Sequence, residues 1–290
     1  MNALIFGISG QDGYYLSSIL RNSGINVIGI SRSVGGWLSG DVGDADFVEK
    51  LVKEYQPSYI FHLAANSTTA HHAIFENHRA ICTGSINILE NVYRHNRSCK
   101  VFLSGSALQF VNTGAPIHES DPFEARDAYS LSRINSVNAA RYFRQLGISA
   151  YVGYFFHHDS PYRSERHLNM KIARAVKRIS LGSSESIVIG DLEVVKEFNF
   201  AGDLMQAVWT LVNQTNSFEA MIGSGNGYPI RDWVNACFER VGGQAGDSVV
   251  QRLDFKRDFD SLVANPSTLK ALGWQPQVGL SELAALMIGQ

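Results

Sequence analysis

Over the first two thirds of the chain, short apolar, β-branched runs alternate with longer stretches whose apolar residues recur near a 3.6-residue period. The runs at 3–8, 27–30, 59–63, 101–104 and 150–155 predict strands, and their near-continuous hydrophobicity predicts burial on both faces. The stretches at 14–22, 45–55, 74–95 and 128–146 predict helices that each bury one stripe. Strand and helix in alternation predict an α/β fold with a Rossmann-like, doubly wound parallel sheet. Past residue 156 the rhythm loosens into a charged loop, a helix near 170–181, short strands, and helices near 203–213, 230–241 and at the C-terminus. The expected division is a sheet domain over 1–156 and a smaller lobe over 157–290, some of whose segments can return to the sheet. No Gly/Ser or Pro linker separates the two, so the lobe is expected on the sheet's carboxyl edge, where open α/β sheets take their ligands.

Composition narrows the picture. The 290 residues are 45% hydrophobic with 26 Gly and 7 Pro, which excludes disordered and fibrous classes. A formal net charge of −2 with scattered Lys and Arg provides no field for phosphate backbone or anionic lipid, so neither nucleic acid nor membrane is an expected partner. The first residues, Met1 to Gly7, have no basic flank and no long apolar run, and a cytoplasmic location is expected. Cys82, Cys99 and Cys237 are odd in number and widely spaced, which predicts small buried residues rather than a disulfide framework, and no metal site is expected.

Directly after the first strand comes Gly7-Ile8-Ser9-Gly10-Gln11-Asp12-Gly13, followed by the helical Tyr14-Tyr15-Leu16. Glycines three and three apart let backbone turn tightly and approach a pyrophosphate, which then rests on free N–H groups at a helix N-terminus. In this context the pattern predicts that 1–156 binds a dinucleotide. The second strand ends in Gly29-Ile30-Ser31-Arg32-Ser33, with Arg32 where an acidic residue would meet the ribose hydroxyls of NAD. A guanidinium fork matches a 2′-phosphate instead, so NADP is the expected cofactor, with NAD as the alternative and a solvated loop arginine as the bland reading.

Across nearly its whole length the sequence resembles the extended short-chain dehydrogenase/reductases, in the branch of GDP-mannose 4,6-dehydratase and GDP-4-keto-6-deoxymannose reductase. Gly7 to Leu16 resembles that branch's Gly-x-x-Gly-Gln-Asp-Gly-x-Tyr-Leu opening. The segment from Gly40 through Asp41 and Val42 to Asp44 resembles its adenine-contacting Gly-Asp-Leu-x-Asp, and Leu63-Ala64-Ala65-Asn66-Ser67 resembles its Leu-Ala-Ala-Gln-Ser. His158-Asp159-Ser160-Pro161-Tyr162-Arg163 is similar to its His-Glu-Ser-Pro-Arg-Arg, and Leu272-Gly273-Trp274-Gln275-Pro276 to its tail. The resemblance implies cofactor contacts from Gly7, Gly10, Gln11, Asp12, Gly13, Arg32, Asp41, Val42, Leu63, Ala64 and Ala65. It also implies a GDP-sugar substrate and a homodimer or homotetramer.

The family's chemistry is hydride transfer at a sugar carbon, with a tyrosine as acid/base, a lysine beside it, and a Ser or Thr on the same oxygen. The resemblance puts the tyrosine at Tyr129, but the residue four on is Arg133. Spacing of i,i+4 keeps a fixed charge on the same helix face, while a guanidinium is planar and bulkier than an ammonium. Where the dehydratases have Ser-Thr-Ser-Glu-Leu-Tyr-Gly, this chain reads Ser104-Gly105-Ser106-Ala107-Leu108-Gln109-Phe110, so the threonine becomes Gly105 and the glutamate Ala107. Ser106 is expected to supply the hydroxyl, with Ser104 equally near, and Glu119 or Asp121 is a candidate displaced carboxylate. For the substrate, the resemblance nominates His157 (the family's asparagine), Lys171, Lys196 and Arg231.

The leading expectation is an NADP-dependent enzyme acting at C4 of a GDP-hexose, reductase-like because the dehydratase glutamate is missing. The alternatives are a 4,6-dehydratase or epimerase with a relocated acid/base, and a nucleotide-sugar-binding protein with little or no turnover.

Overall fold

The computed structural model of the chain describes residues 1–252 and 254–289. Strand β1 (Asn2–Phe6) leads through a glycine turn into α1 (Gln11–Asn22), then β2 (Asn26–Ser31) and the short β3 (Leu38–Ser39). Helix α2 (Ala45–Tyr55) returns the chain to β4 (Tyr59–His62), and α3 (Ile74–Asn77) with α4 (Gly84–His95) carries it to β5 (Lys100–Ser106). Helix α5 (Ala128–Gln145) and β6 (Ala150–Phe155) complete the alternation. Beyond lie β7 (His158–Asp159), α6 (Leu168–Ser180), β8 (Ile187–Ile189), β9 (Val195–Glu197), β10 (Asn199–Phe200), α7 (Ala201–Val212) and β11 (Glu219–Ile222). Last come β12 (Gly227–Pro229), α8 (Ile230–Arg240), β13 (Val249–Gln251), β14 (Ser261–Leu262), α9 (Ser267–Ala271) and α10 (Leu280–Ile288).

The central sheet has seven strands in the order β11-β6-β5-β4-β1-β2-β3. Every neighbouring pair in it is parallel. Strand alternation explains the apolar runs. Leu4, Phe6, Leu103 and Val152 face one way, into the core under α2, α4 and α5. Ala3, Ile5, Phe61, Phe102 and Tyr151 face the other, into the core under α1 and α7. Each Leu- or Phe-sized side chain buried this way contributes roughly 2 kcal/mol, so both helix layers are held by the same strands. A third core, around Trp233, gathers α6, α8 and α10 into the lobe. All three cysteines are free and buried.

Two features depart from the expected pattern. The first strand ends at Phe6, because Gly7 takes φ +95° and turns the chain, and α1 begins at Gln11, which places Gly13 within its first turn. The helical path 74–95 contains a π-helical turn at His78–Thr83, and the Ala80 carbonyl within it accepts from His62 Nε2 at 3.0 Å. Residues beyond 156 also build the sheet itself: β11 is its edge strand, and α7 packs in the layer with α1.

The β11 edge is closed by charge. Tyr154 donates its hydroxyl to Glu219 at 2.5 Å, Arg141 grips both carboxylate oxygens at 3.0 and 2.7 Å, and Arg144 also donates to it. Burial alone would raise the carboxyl's pKa, but these donors hold it at about 2, against an ordinary 4.5. Its charge therefore contributes stability that is complete above pH 4.5 and is lost as the pH falls through about 2, on the order of 3 kcal/mol. Urea unfolding at pH 6 and pH 3 is expected to show roughly 2 kcal/mol of that loss in the wild type, since pH 3 still lies above the folded value, and Glu219→Gln is expected to flatten it.

Candidate active site

Chain order 3-2-1-4 reverses direction between β1 and β4, and the cleft opens at their carboxyl ends, as such a switch point dictates. The two strand ends approach so closely that a Cβ on Gly7 would lie 2.7 Å from the Ala64 nitrogen. A Cβ on Gly13 would lie 2.5 Å from the Gly7 carbonyl oxygen, so glycine at both positions follows from sterics. Gly10, the residue before α1, has no such crowding, and no side chain caps the helix. That leaves free N–H groups and open backbone facing the cleft, the cradle a dinucleotide pyrophosphate needs. A nicotinamide dinucleotide fits this cradle.

Gln11 and Asp12 line the cleft, but their side chains fasten α1 to the segment after β6. Asp12 Oδ1 lies 3.0 Å from His158 Nε2, Ser160 Oγ donates to Gln11 Oε1 at 2.9 Å, and Gln11 Nε2 donates to the His158 carbonyl at 3.2 Å. Burial would raise the Asp12 carboxyl's pKa, yet the His158 partner lowers it. Burial would likewise lower the imidazole's pKa, and Asp12 raises it. The Gln-Asp and His-Asp-Ser segments are thus each other's partners across some 146 residues.

One chamber of the cleft, about 600 Å³, is lined by Ser9, Ser31, Arg32, Ser33, Asp41, Val42, Ala64 and Ala65 among others. Ser9, Ser31 and Ser33 form a chain of hydroxyls at 2.9 Å spacings. Arg32 is half-exposed and paired with Glu76 at 3.1 Å, and Asp41 is paired with Arg79 at 2.9 Å. The second chamber, about 370 Å³, shares Gly7, Gly10, Leu63 and Ala65 with the first and is lined by Ser104 to Leu108, Tyr129 and Arg133.

Asp127 caps α5 by accepting from the Tyr129 and Ser130 N–H groups at 2.9 and 2.7 Å, which fixes Tyr129 in the first turn. Arg133 is one turn on and buried, with its Cζ 5.0 Å from the Tyr129 ring centroid. Its Nη1 donates to the Ser104 hydroxyl at 2.7 Å and to the Ser104 carbonyl. The Ser104 hydroxyl in turn donates to the His62 carbonyl at 2.9 Å and is fully engaged. Ser106 Oγ accepts from the Leu108 N–H at 3.2 Å and keeps its own proton free for the cleft. Of the two serines left open by the sequence, Ser106 is therefore the one with a hydroxyl to offer. His62, behind Arg133, is pushed down to about 4 by burial and the guanidinium charge, so no second cation forms there.

The displaced carboxylates expected near this loop lie elsewhere. Glu119 accepts from the Met221 N–H at 2.8 Å and pairs with His118, and Asp121 accepts from the His118 N–H at 2.9 Å. Among the described residues lining the Tyr129 chamber, the one carboxylate is Asp12, held by His158. Gly105 is also explained: a Cβ there would lie 2.6 Å from Tyr154 Cδ1, and Tyr154 is pinned by Glu219. Restoring the family's residue with Gly105→Thr is expected to cost roughly 1–3 kcal/mol by overpacking. Thermal unfolding checks this, and an unchanged Tm would show that Tyr154 yields freely.

Of the four nominated substrate residues, His157 lines the chamber. Lys171 is exposed on α6, Arg231 is exposed and paired with Glu193, and Lys196 is buried, donating to Asn169 Oδ1 at 2.9 Å. None of these three lines either chamber, because the first two point outward from the lobe and the third points into its core. Besides Arg133, the basic side chains that line it with His157 are His158, Arg163 and His167. Among the described residues no group of His, Cys, Asp and Glu is placed to hold a metal, and no helix is long and apolar enough to cross a membrane.

A parallel sheet in this order, with a glycine cradle at its switch point and a tyrosine helix beside the fifth strand, defines the Rossmann-fold short-chain dehydrogenase/reductase class. The sequence model of the GDP-mannose 4,6 dehydratase family matches residues 4–287, and the chain belongs to that family. It is 28% identical over 320 residues to GDP-mannose 4,6 dehydratase 1 of Arabidopsis thaliana, covering 99% of this chain and 89% of that one. It is 26% identical to the GDP-mannose 4,6-dehydratase of Yersinia enterocolitica, covering 99% and 92%. Among solved structures it is similar to RMD from Pseudomonas aeruginosa complexed with NADPH (TM-score 0.86, 19% identity, 99% and 97% covered). It is also similar to the Thermus thermophilus UDP-glucose 4-epimerase complex with NAD (TM-score 0.82, 20% identity, 99% and 98% covered).

Proposed function

We propose that the chain is an NADP-dependent enzyme that exchanges hydride at C4 of a GDP-linked hexose, reducing a 4-keto-6-deoxy sugar. The observation that carries this reading is that, among the described residues, no free carboxylate lines the Tyr129 chamber: Ala107 stands where the resemblance puts the dehydratase glutamate, and Asp12 is committed to His158. Removing water across C5 and C6 needs a group that takes the C5 proton and protonates the departing hydroxyl, whereas reducing a ketone needs a single proton donor at the C4 oxygen. A nicotinamide dinucleotide in the glycine cradle supplies the hydride. Tyr129 gives its phenolic proton to the C4 oxygen, Ser106 donates a hydrogen bond to the same oxygen, and Arg133 holds positive charge beside the phenolate that results.

NADP rather than NAD is supported by Arg32 with the Ser9–Ser31–Ser33 hydroxyls, a cation and donors that gain more from a charged 2′-phosphate than from a neutral ribose hydroxyl. Arg32→Ala is expected to weaken NADPH binding about 10-fold, as loss of a charge-assisted contact does, and to leave NADH binding within twofold. Isothermal titration of both cofactors measures this.

Product analysis tests the reaction. Incubation with GDP-4-keto-6-deoxymannose and NADPH is expected to oxidise the cofactor and yield a deoxy sugar, and GDP-mannose alone is expected to be inert. A keto sugar formed from GDP-mannose would instead support 4,6-dehydration, the activity in the names of the relatives.

A further inference from the structure

Arg32, the cation of the 600 Å³ chamber, is already engaged. Its Nη2 donates to Glu76 Oε1 at 3.1 Å, and Glu76, carried by α3, does not itself line the chamber. Half-exposed ion pairs are usually loose and worth little. This one is held from behind. Glu76 Oε2 accepts from Asn66 Nδ2 at 2.9 Å, and the next residue, the buried Asn77, donates from Nδ2 to the Thr68 carbonyl at 2.9 Å. Two consecutive residues of α3 are thereby tied to the loop after β4, and the carboxylate is fixed beside the guanidinium. A second carboxylate, Asp41, lines the chamber and is paired with Arg79 at 2.9 Å. Burial would raise the Asp41 carboxyl's pKa, and the Gly43 N–H, Arg79 and the charge of Arg32 together lower it, so Arg32 faces Asp41 as well as Glu76. Both arginines thus already have carboxylate partners.

A phosphate monoester carries close to two negative charges at neutral pH, so a 2′-phosphate has to share Arg32 with Glu76 or draw it away. A ribose 2′-hydroxyl is neutral and meets no such competition. We propose that Glu76 sets how strongly this chain prefers NADP over NAD, by competing with the 2′-phosphate for the Arg32 guanidinium, an inference that rests on the NADP reading above. Glu76 is then a specificity-determining residue that acts through Arg32 without touching the cofactor. The preference that the arginine creates is partly cancelled by its own partner, and the chain takes both cofactors with NADP ahead by a modest factor. The fork has five N–H donors and gives one to Glu76, so the pair can loosen toward a phosphate without a change of fold.

Isothermal titration of the full chain with NADPH and with NADH tests this. Glu76→Gln is expected to tighten NADPH binding about 3- to 10-fold and to leave NADH within twofold, as removal of a competing charge at a half-exposed pair does. The gain should fall below twofold in about 0.5 M salt, where the screening length is roughly 4 Å. In an Arg32→Ala background the same substitution should change NADPH affinity less than twofold, because the residue over which the two anions compete is gone. The inference is overturned if Glu76→Gln weakens NADPH, which would make the carboxylate a strut that aims the arginine. It is equally overturned if both cofactors tighten alike, or if the gain persists without Arg32. An Arg32→Ala protein that binds NADPH as wild type does would defeat the NADP reading itself. A loss with Arg32→Ala but no gain with Glu76→Gln would leave that reading standing and defeat only the role of Glu76. If Glu76→Gln does not fold, Glu76→Ala decides by the same titrations, with an equal or larger gain expected since it offers Arg32 no amide oxygen.

Discussion

Tyr129→Phe is expected to lower kcat for keto-sugar reduction by about 10³- to 10⁴-fold while leaving NADPH and GDP affinity within twofold. Removing one positioned acid/base accounts for 10²- to 10⁴-fold, and a reductase with one proton donor sits at the upper end. The substitution spares the fold, because the contacts that fix this position are the backbone N–H on Asp127 and the ring face toward Arg133, both retained by phenylalanine. Because the lost interaction is made in the transition state, kcat and kcat/KM should fall together with KM unchanged. Single-turnover measurement with preloaded NADPH reads the chemical step directly. A loss under tenfold would show that another group protonates the C4 oxygen, and Ser106 would be the next residue to remove.

What was legible beforehand follows from how far each signal reaches along the chain. Strand runs and helix periods are local, so five strands and four helices of the first two thirds were placed within a few residues, and the glycine loop declared its own turn. Glu219–Ile222 as the sheet's edge was not visible, because four ordinary residues reveal their partner only when β6 is adjacent in space. The side-chain partners of Gln11 and Asp12 were hidden for the same reason, His158 and Ser160 being distant in sequence. Lysines 171 and 196 looked equivalent, since a single polar residue carries no mark of burial, yet one is exposed and the other is held at about 8 by desolvation. Gly105 looked like a lost catalytic residue and also has a packing cause, the Tyr154 ring. Arg163 carries no mark of its place within the His158–Arg163 segment, and only the folded cleft brings it to the chamber wall.

Arg133→Met is the second large effect, expected to lower kcat about 10²-fold and to cost stability as well. At separations on the order of 5 Å and an effective dielectric of about 20, a unit charge is worth about 3 kcal/mol to a nascent phenolate, which is roughly that factor. The structural cost arises because the Ser104 carbonyl and hydroxyl both lose their donor. His62 provides a readout independent of turnover. The guanidinium is one of the two causes that depress this imidazole, so its removal should raise the His62 pKa from about 4 while burial keeps it below 6.5, a change followed by NMR titration. Arg133→Lys retains the charge but not the fork on Ser104, and is expected to stay within tenfold of the wild-type rate. A lysine variant far faster than wild type would mean that the arginine is a structural strut rather than the working cation. A methionine variant with an unshifted His62 would remove the electrostatic basis for giving Arg133 any part in the chemistry.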